Sequence, residues 1–243
     1  MPETLINGRW TLDLLPHRAS IPSWGWWERE RLAAMYTAIR PGDTVMDIGA
    51  EQGDLSALYA SWVGPAGNMI LVEPSAGFWP CIKATFEMND LKPPRISFPG
   101  FAFNDHSAEK WNTWCQYTGG PNDWPIQAYG EIDPTIGFAH INEHPPVPDT
   151  TIDDIASSSA FPIDVITMDV EGTEYEVLQG AEDTLTSKPP NPIVFVSVHP
   201  EFMMREHGHT TDALHLMMHG FGYDAMFLAT DHEQHWMYKK RVA

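Results

Sequence analysis

Residues 44–53 read TVMDIGAEQG, and this stretch decides the fold. Its first half, Thr44 to Ile48, is a short and mostly apolar run of the kind that forms a buried strand. Gly49 then ends the strand, and Gly53 permits a close approach of the following backbone to a helix or a ligand. A buried strand that passes through a glycine-containing loop into a helical segment is typical of parallel α/β sheets.

The same alternation of strands and helices continues on both sides of this stretch. Further strands are predicted at 68–72, 95–98, 164–168, 193–198, 223–228 and 235–239. Helical periodicity is found at 26–39, 55–63, 77–89, 151–156, 175–185 and 211–219, whereas residues 1–25 begin no clear element. Strands that alternate with helices imply a mostly parallel sheet with right-handed crossovers.

The chain is predicted to be a single domain, residues 1–243, with two additions. Residues 1–40 form an N-terminal helical extension in this interpretation. Residues 104–150 form an irregular insertion, rich in Pro, Gly, Trp and Tyr, with an extended pair at 126–129 and 136–141. An insertion of this length in a compact domain is commonly functional, and a lid over the substrate is one use for it.

Charge and composition exclude several classes of partner. Fourteen Lys and Arg stand against 33 Asp and Glu, which gives a formal net charge of −19. Such a chain repels nucleic acid and anionic membrane surfaces, so a small-molecule acceptor is the expected partner. Two cysteines, the lack of a basic and apolar leader and the lack of a long apolar run lead us to expect a cytoplasmic protein. The oligomeric state stays open.

Acidic residues at the ends of the first two core strands indicate a nucleoside cofactor. Glu73 follows the second strand, where a carboxylate can accept both hydroxyls of a ribose. Asp47 and Glu51 flank the glycine loop, and a carboxylate there repels a pyrophosphate but suits a cationic ligand. S-adenosylmethionine carries an ammonium, a sulfonium and a ribose but no phosphate. Simple capping of turns by Asp47 and Glu73 remains the alternative.

Two longer motifs resemble a known family. The segment 45–53, VMDIGAEQG, resembles the first motif of class I methyltransferases. Residues 150–154, TTIDD, followed by 166–181, ITMDVEGTEYEVLQGA, resemble the FkbM family of methyltransferases. The likeness covers roughly residues 40–200, with Thr167 where the family usually has Lys and Ser197 where an acid is frequent. The resemblance implies a Rossmann-like class I methyltransferase fold: a three-layer sandwich whose mostly parallel seven-stranded sheet has an antiparallel last strand.

The resemblance also implies S-adenosyl-L-methionine as cofactor and assigns residues to it. Glu73 would hold the ribose hydroxyls, and Asn104 or Asp105 would meet the adenine amino group. Asp169 would close the site from the fourth strand of the fold. The remaining positions, which would line the methionine and ribose, are Asp47, Gly49, Ala50 and Gly53.

Methyl transfer to an alcohol needs a group that removes the acceptor's proton. Asp169, Glu171 and His199 follow predicted strands and are the candidate catalytic residues. His199 ranks first as the base, since an imidazole titrates near neutral pH, Asp169 ranks second, and Glu171 orients a partner. Glu174 and Glu176 are expected to face solvent on the following helix.

Two carboxylates and a histidine also suit a divalent metal ion. Carboxylates are weak evidence for a metal in a chain this acidic, so the metal is possible but not favoured.

The sequence therefore favours an S-adenosylmethionine-dependent methyltransferase that acts on a hydroxyl of a small polar acceptor such as a sugar or natural product. Two alternatives stay open. One is a nicotinamide-dependent oxidoreductase, against which the acidic loop and the spacing of its glycines count. The other is a non-catalytic module that binds S-adenosylmethionine.

Overall fold

A computed structural model of the protein describes residues 3–75, 77–104, 149–187, 189–200 and 208–241. Its strands are β1 Glu3–Ile6, β2 Trp10–Asp13, β3 Thr44–Ile48, β4 Asn68–Val72, β5 Ile96–Phe98, β6 Phe101–Ala102, β7 Asp149–Thr150, β8 Val165–Met168, β9 Ile193–Val198, β10 Tyr223–Thr230 and β11 Gln234–Lys240. Its α-helices are α1 Pro16–Ala19, α2 Arg29–Ala38, α3 Asp54–Val63, α4 Phe78–Met88, α5 Ile152–Ser158, α6 Glu174–Gln179, α7 Glu182–Thr186 and α8 Thr211–Gly220.

Seven strands form the central sheet in the order β10-β11-β9-β8-β3-β4-β5. β3 pairs in parallel with β4 and β8, and β8 pairs in parallel with β9. β11 is antiparallel to both of its neighbours, β9 and β10. The predicted Rossmann-like class I methyltransferase fold, with its antiparallel last strand, is confirmed.

Each face of the sheet is covered by its own apolar layer, which makes the molecule a three-layer sandwich. On one face the side chains of Val45, Leu71 and Phe195 pack with residues of α2, α3, α4 and the β1–β2 hairpin. On the other face, Ile48 and Val196 pack with residues of α5, α6, α7 and α8. The strands are apolar on both sides because both of their faces are buried. No helix of the described residues is long and apolar enough to cross a membrane.

The N-terminal segment differs from the prediction, because it is not helical throughout. β1 and β2 form an antiparallel hairpin whose turn residues Asn7 and Gly8 have φ of 52° and 67°. An Asn-Gly pair with positive φ at both residues is typical of a tight hairpin turn. The predicted helix 26–39 begins at Arg29, because Glu28 has a left-handed φ of 40°.

The predicted helix 175–185 is two helices, α6 and α7. The chain turns at Gly180, where an added Cβ would lie 2.0 Å from the carbonyl oxygen of Phe103. The Asp153 carboxylate then accepts hydrogen bonds from the backbone N–H groups of Asp183 and Thr184, so a side chain of α5 caps the start of α7. The predicted extended pair, and with it most of the 104–150 insertion, lies outside the described residues, so its use as a lid stays a prediction.

Candidate functional site

The glycine loop lies at the carboxyl end of β3, pressed against the end of β8. Gly49 has φ of 81°, and an added Cβ there would lie 2.0 Å from the carbonyl oxygen of Asp169. Gly53 has φ of 80°, and its Cβ would lie 3.0 Å from Cα of Ile82. These two positions need glycine for both conformation and space. The loop therefore brings the predicted cofactor residues next to the predicted catalytic strand end.

Backbone donors of this loop are already used within the chain. The N–H groups of Gly49 and Ala50 donate to the carbonyl oxygen of Val72 at 2.9 and 3.2 Å. Glu51 N–H donates to the Glu73 carboxylate at 2.8 Å, and Gly53 N–H donates to Ala50 O at 2.9 Å. A pyrophosphate site needs free N–H groups, so this arrangement disfavours a nicotinamide dinucleotide.

Glu73 is buried at the end of β4 and is fixed by two backbone N–H groups. One carboxylate oxygen accepts from Glu51 N and the other from Ser75 N, at 2.8 and 2.6 Å. Burial raises the pKa of Glu73 to about 7, although these hydrogen bonds act in the opposite direction. Each carboxylate oxygen keeps a second lone pair, so Glu73 can still accept the two hydroxyls of a ribose.

Asp47 is buried at the end of β3 and faces α2 and α3. Ser56 Oγ, in the first turn of α3, donates to its carboxylate at 2.5 Å. Burial raises the pKa of Asp47 to about 6, while the hydrogen bond from Ser56 and the charge of Arg31 lower it. The hydrogen bond from Ser56 of α3 therefore holds Asp47 in place, and the positive charge of Arg31 in α2 partly neutralises it.

A buried arginine that the sequence reasoning missed lies beside Asp47. Arg31, in α2, forms an ion pair with Glu28 and donates from Nη2 to Thr167 Oγ1 at 2.6 Å. Burial lowers the pKa of Arg31, but Glu28 and the nearby Asp169 carboxylate outweigh it and raise the pKa above its ordinary value. Thr167 stands where the FkbM family usually has Lys. Here its hydroxyl contacts the guanidinium of Arg31, a cation supplied by α2.

A small cavity of about 60 Å³ lies between the loop and the N-terminal segment. Its lining includes Arg31, Asp47, Gly49, Ala50 and Asp169. Binding sites for whole small molecules usually measure roughly 300–1,000 Å³, so this cavity can hold one end of a cofactor. Carboxylates and guanidinium groups together suit the zwitterionic end of an amino acid.

Acidic side chains surround His199 at the end of β9. Its Nδ1 lies 2.6 Å from Glu174 Oε1. Its Nε2 lies 3.6 Å from Asp169 Oδ1, 3.3 Å from Glu171 Oε2 and 3.4 Å from Glu233 Oε2. The structure thus brings the three predicted catalytic residues together and adds two carboxylates to them.

The charged groups of this cluster shift one another's pKa values. Burial lowers the pKa of His199, but the hydrogen bond and charge of Glu174 and the other carboxylates raise it overall to about 9. Burial and the Glu233 carboxylate raise the pKa of Asp169 to about 8. The neutral-range pKa on which His199 ranked first as the base is therefore not the pKa it has in this cluster. Its catalytic role stays a prediction.

Two expectations about the α6 glutamates are wrong. Glu174 is fully buried, and its carboxylate also accepts from Gly172 N–H at 3.0 Å. Glu176 is mostly buried and lies 3.4 Å from Nε2 of His209. Glu171 and Gly172 have φ of 56° and 101°. Because this left-handed turn redirects the chain, Glu174 faces the end of β9 rather than solvent.

Glu233 was missed because it lies in the turn between the last two strands. The sequence did hold a signal, since DHEQH at 231–235 gathers titratable residues between two predicted strands. A groove of about 580 Å³ runs over this turn, lined by His199, Glu233, His232, His215 and Trp236. Asp169 borders the small cavity and His199 borders this groove, so the two spaces meet at their contact.

Of the two residues predicted to contact adenine, Asn104 and Asp105, only Asn104 is among the described residues. Asn104 is exposed and donates from Nδ2 to Gln179 Oε1 at 3.0 Å, at the end of α6. This position gives no support to a contact with adenine, and the assignment stays a prediction. Asp105 lies outside the described residues.

Comparison with known protein families gives a match over most of this chain. A family model described as the methyltransferase FkbM domain matches residues 47–225. A curated demethylmenaquinone methyltransferase of Symbiobacterium thermophilum is 38% identical over 65 residues, which are 27% of this chain and 25% of that protein. The match therefore spans about a quarter of the length of that relative.

Similar solved structures include a SAM-dependent methyltransferase from Aquifex aeolicus. It has 11% identity, a TM-score of 0.49, and coverage of 91% of this chain and 94% of that one. The O-methyltransferase TomG from Streptomyces achromogenes, in complex with SAM, has 13% identity and a TM-score of 0.47, with coverage of 87% and 78%.

Proposed function

The chain belongs to the FkbM methyltransferase family, and from that premise we propose that it transfers a methyl group from S-adenosylmethionine to a hydroxyl oxygen of a small polar acceptor. The observation that carries the proposal is the contact between Asp169 and His199. It joins the cavity beside the glycine loop to the groove over the last hairpin. Donor and acceptor can then meet where the two spaces join, beside this contact.

The cofactor is assigned to the loop side. Its ribose hydroxyls bind Glu73, and its amino-acid end enters the small cavity between Arg31 and the carboxylates of Asp47 and Asp169. A sulfonium next to these carboxylates is stabilised by charge. Gly49 and Ala50 line this cavity, and Gly53 lets the loop pack against Ile82 of α4; larger side chains at either glycine would meet backbone atoms.

The acceptor is assigned to the groove side. The carboxylates of Asp212 and Glu233 and the net charge of −19 disfavour phosphorylated or carboxylated molecules, and Trp236 offers an aromatic face to a ring. These features favour a neutral polyhydroxylated acceptor such as a sugar or a natural product.

Transfer is an in-line displacement in which alignment supplies most of the rate enhancement. The bond between the methyl carbon and sulfur breaks as the bond between that carbon and the acceptor oxygen forms. The sulfonium becomes a neutral thioether, and the hydroxyl proton leaves to a carboxylate of the cluster around His199.

The test combines binding with turnover. We expect calorimetry to detect S-adenosylmethionine and S-adenosylhomocysteine, and a panel of sugars and hydroxylated natural products to yield a methylated product by mass spectrometry. His199→Ala should bind S-adenosylhomocysteine yet lose turnover, whereas Asp169→Asn, which also borders the cofactor's cavity, should weaken binding as well as turnover. Absence of cofactor binding by the folded protein overturns the proposal, and binding without turnover on any acceptor favours a non-catalytic module.

A further inference from the structure

The cluster around His199 has the arrangement of a metal centre. Four carboxylates surround a single imidazole, one on the Nδ1 side and three on the Nε2 side. His199, Glu174 and Glu233 are at most 6% exposed. Burial of two carboxylates in a group of four is costly unless positive charge compensates them, and one imidazole supplies at most a single positive charge.

The ring orientation is fixed from its Nδ1 side. Glu174 Oε1 lies 2.6 Å from Nδ1, and the same oxygen accepts from the backbone N–H of Gly172 at 3.0 Å. With Nδ1–H donating to Glu174, Nε2 is the nitrogen that can exchange its proton for a metal ion, and it faces Asp169, Glu171 and Glu233. Histidines that bind metals are held by a carboxylate or carbonyl in this same way.

Distances on the Nε2 side fit ligands better than they fit hydrogen bonds. A protonated imidazole bonded to a carboxylate places nitrogen and oxygen about 2.7–2.9 Å apart, but the carboxylates here lie 3.3, 3.4 and 3.6 Å from Nε2. Two ligands at metal bonds of about 2.1 Å are separated by roughly 3.0 Å at an octahedral angle and 3.4 Å at a tetrahedral one.

We propose that His199 Nε2, Asp169 and Glu233 bind a divalent transition-metal cation, with the Glu171 carboxylate nearby on the exposed side. The candidate atoms of the first three lie within 4.8 Å of one another. Carboxylates alone suit Mg²⁺ or Ca²⁺, whereas an imidazole favours a transition metal. One nitrogen with several carboxylates therefore fits Mn²⁺ best among the common cations.

A neighbouring group of titratable residues is a poorer candidate for the metal site. Asp231, His232 and Glu233 also lie within ligand distance of one another. However, Asp231 Oδ1 is bonded to the buried His235 Nε2 at 3.0 Å, and the His232 side chain is 68% exposed. Glu233 is common to both groups, so the two histidines distinguish them.

The role of the cation in catalysis rests on the proposed function, but its binding does not. A hydroxyl that binds a divalent cation becomes more acidic. An acceptor bound in the groove would contact the cation where groove and cavity join. Its hydroxyl proton would pass to the exposed Glu171 carboxylate. The cation would thus lie where the methyl group is transferred.

The test is titration of the chelator-treated, dialysed protein with Mn²⁺, followed by loss of the free-ion signal in electron paramagnetic resonance. We expect one tight site per chain. His199→Ala and Glu233→Gln should weaken binding by more than tenfold, and Glu174→Gln, which acts through the ring, by about 10- to 100-fold. His232→Gln is the matched control and should bind as the wild type does.

Thermal melting of each variant separates loss of the site from loss of the fold. Glu171→Gln provides a second check, because its side chain is 80% exposed and it lies outside the ligand group; it should weaken Mn²⁺ binding much less than Glu233→Gln does. Loss of binding in His232→Gln but not in His199→Ala would move the ion to the hairpin and overturn the proposal. So would the absence of stoichiometric binding to the wild type.

Calorimetry with S-adenosylhomocysteine on the same samples keeps the two proposals apart. Cofactor binding without Mn²⁺ binding removes the metal site and leaves methyl transfer standing. Mn²⁺ binding without cofactor binding supports the metal site and removes the proposed function.

Discussion

At the scale of single residues, Glu73 links cofactor binding to pH. Its pKa of about 7 means that the carboxyl is protonated at pH 6 and ionised at pH 8. Since the ionised form accepts ribose hydroxyls better, S-adenosylhomocysteine should bind up to about tenfold more tightly at pH 8 than at pH 6. Calorimetry at both values measures this. Glu73→Gln should bind weakly and lose the change centred near pH 7; a variant that keeps the wild-type profile would contradict the assignment.

Gly49 allows a second test at this scale, because a side chain there would add both backbone strain and a steric clash. Gly49→Ala combines a positive φ with a clash against Asp169 O, so we expect a loss of about 2–5 kcal/mol in the free energy of unfolding, measured with urea. Gly42→Ala keeps the positive φ in open space and should cost about 1 kcal/mol. Gly25→Ala has neither feature and should change stability by less than about 0.5 kcal/mol. Equal losses at positions 49 and 42 would mean that the clash is relieved.

Sequence reasoning placed most reliably the candidate site residues that lie at strand ends. Asp47, Glu73 and Asp169 lie at strand ends, where the topology of a parallel sheet makes their positions predictable. Glu174 and Glu233 were misjudged or missed because their directions depend on the Glu171–Gly172 turn and on the hairpin pairing. No periodicity in the sequence encodes those directions.

At the scale of elements, α2 contributes a buried ion pair to the site. Arg31→Met leaves Glu28 unpaired close to Asp169, so we expect a loss of about 3–5 kcal/mol in urea unfolding. Glu28→Gln combined with Arg31→Met should recover part of this loss, since no lone charge remains. Arg29→Ala, on the exposed side of the helix, is the control and should have little effect. A double variant no more stable than Arg31→Met would argue against the charge as the cause.

Elements with strong apolar patterns were predicted to within a few residues. The strands 44–48, 68–72 and 193–198 agree residue for residue with β3, β4 and β9. The β1–β2 hairpin was missed although Asn7-Gly8 is a turn signal. The division of helix 175–185 depends on contacts of Gly180 with Phe103 and of Asp153 with α7, which are distant in sequence.

At the scale of the whole molecule, the net charge of −19 opposes the compact state. Added salt screens this repulsion, so raising NaCl from about 0.01 to 0.15 M should raise the melting temperature by about 2–5 °C. Scanning calorimetry at pH 7.5 measures the change. Sodium sulfate at equal ionic strength should give the same gain below about 0.15 M. A gain that follows sulfate rather than ionic strength would indicate exclusion of the salt from the surface instead.

The last hairpin has a consequence for how such proteins diversify. The family match ends at residue 225, within β10, so Glu233 lies beyond it, and Arg31 lies before its start at residue 47. Two groups beside the proposed junction of donor and acceptor are therefore supplied by flanking segments. Under the proposed function, we expect mutations in these flanks to change which acceptor is accepted while the glycine loop is left untouched. The choice of acceptor is then separable from the choice of donor along the chain.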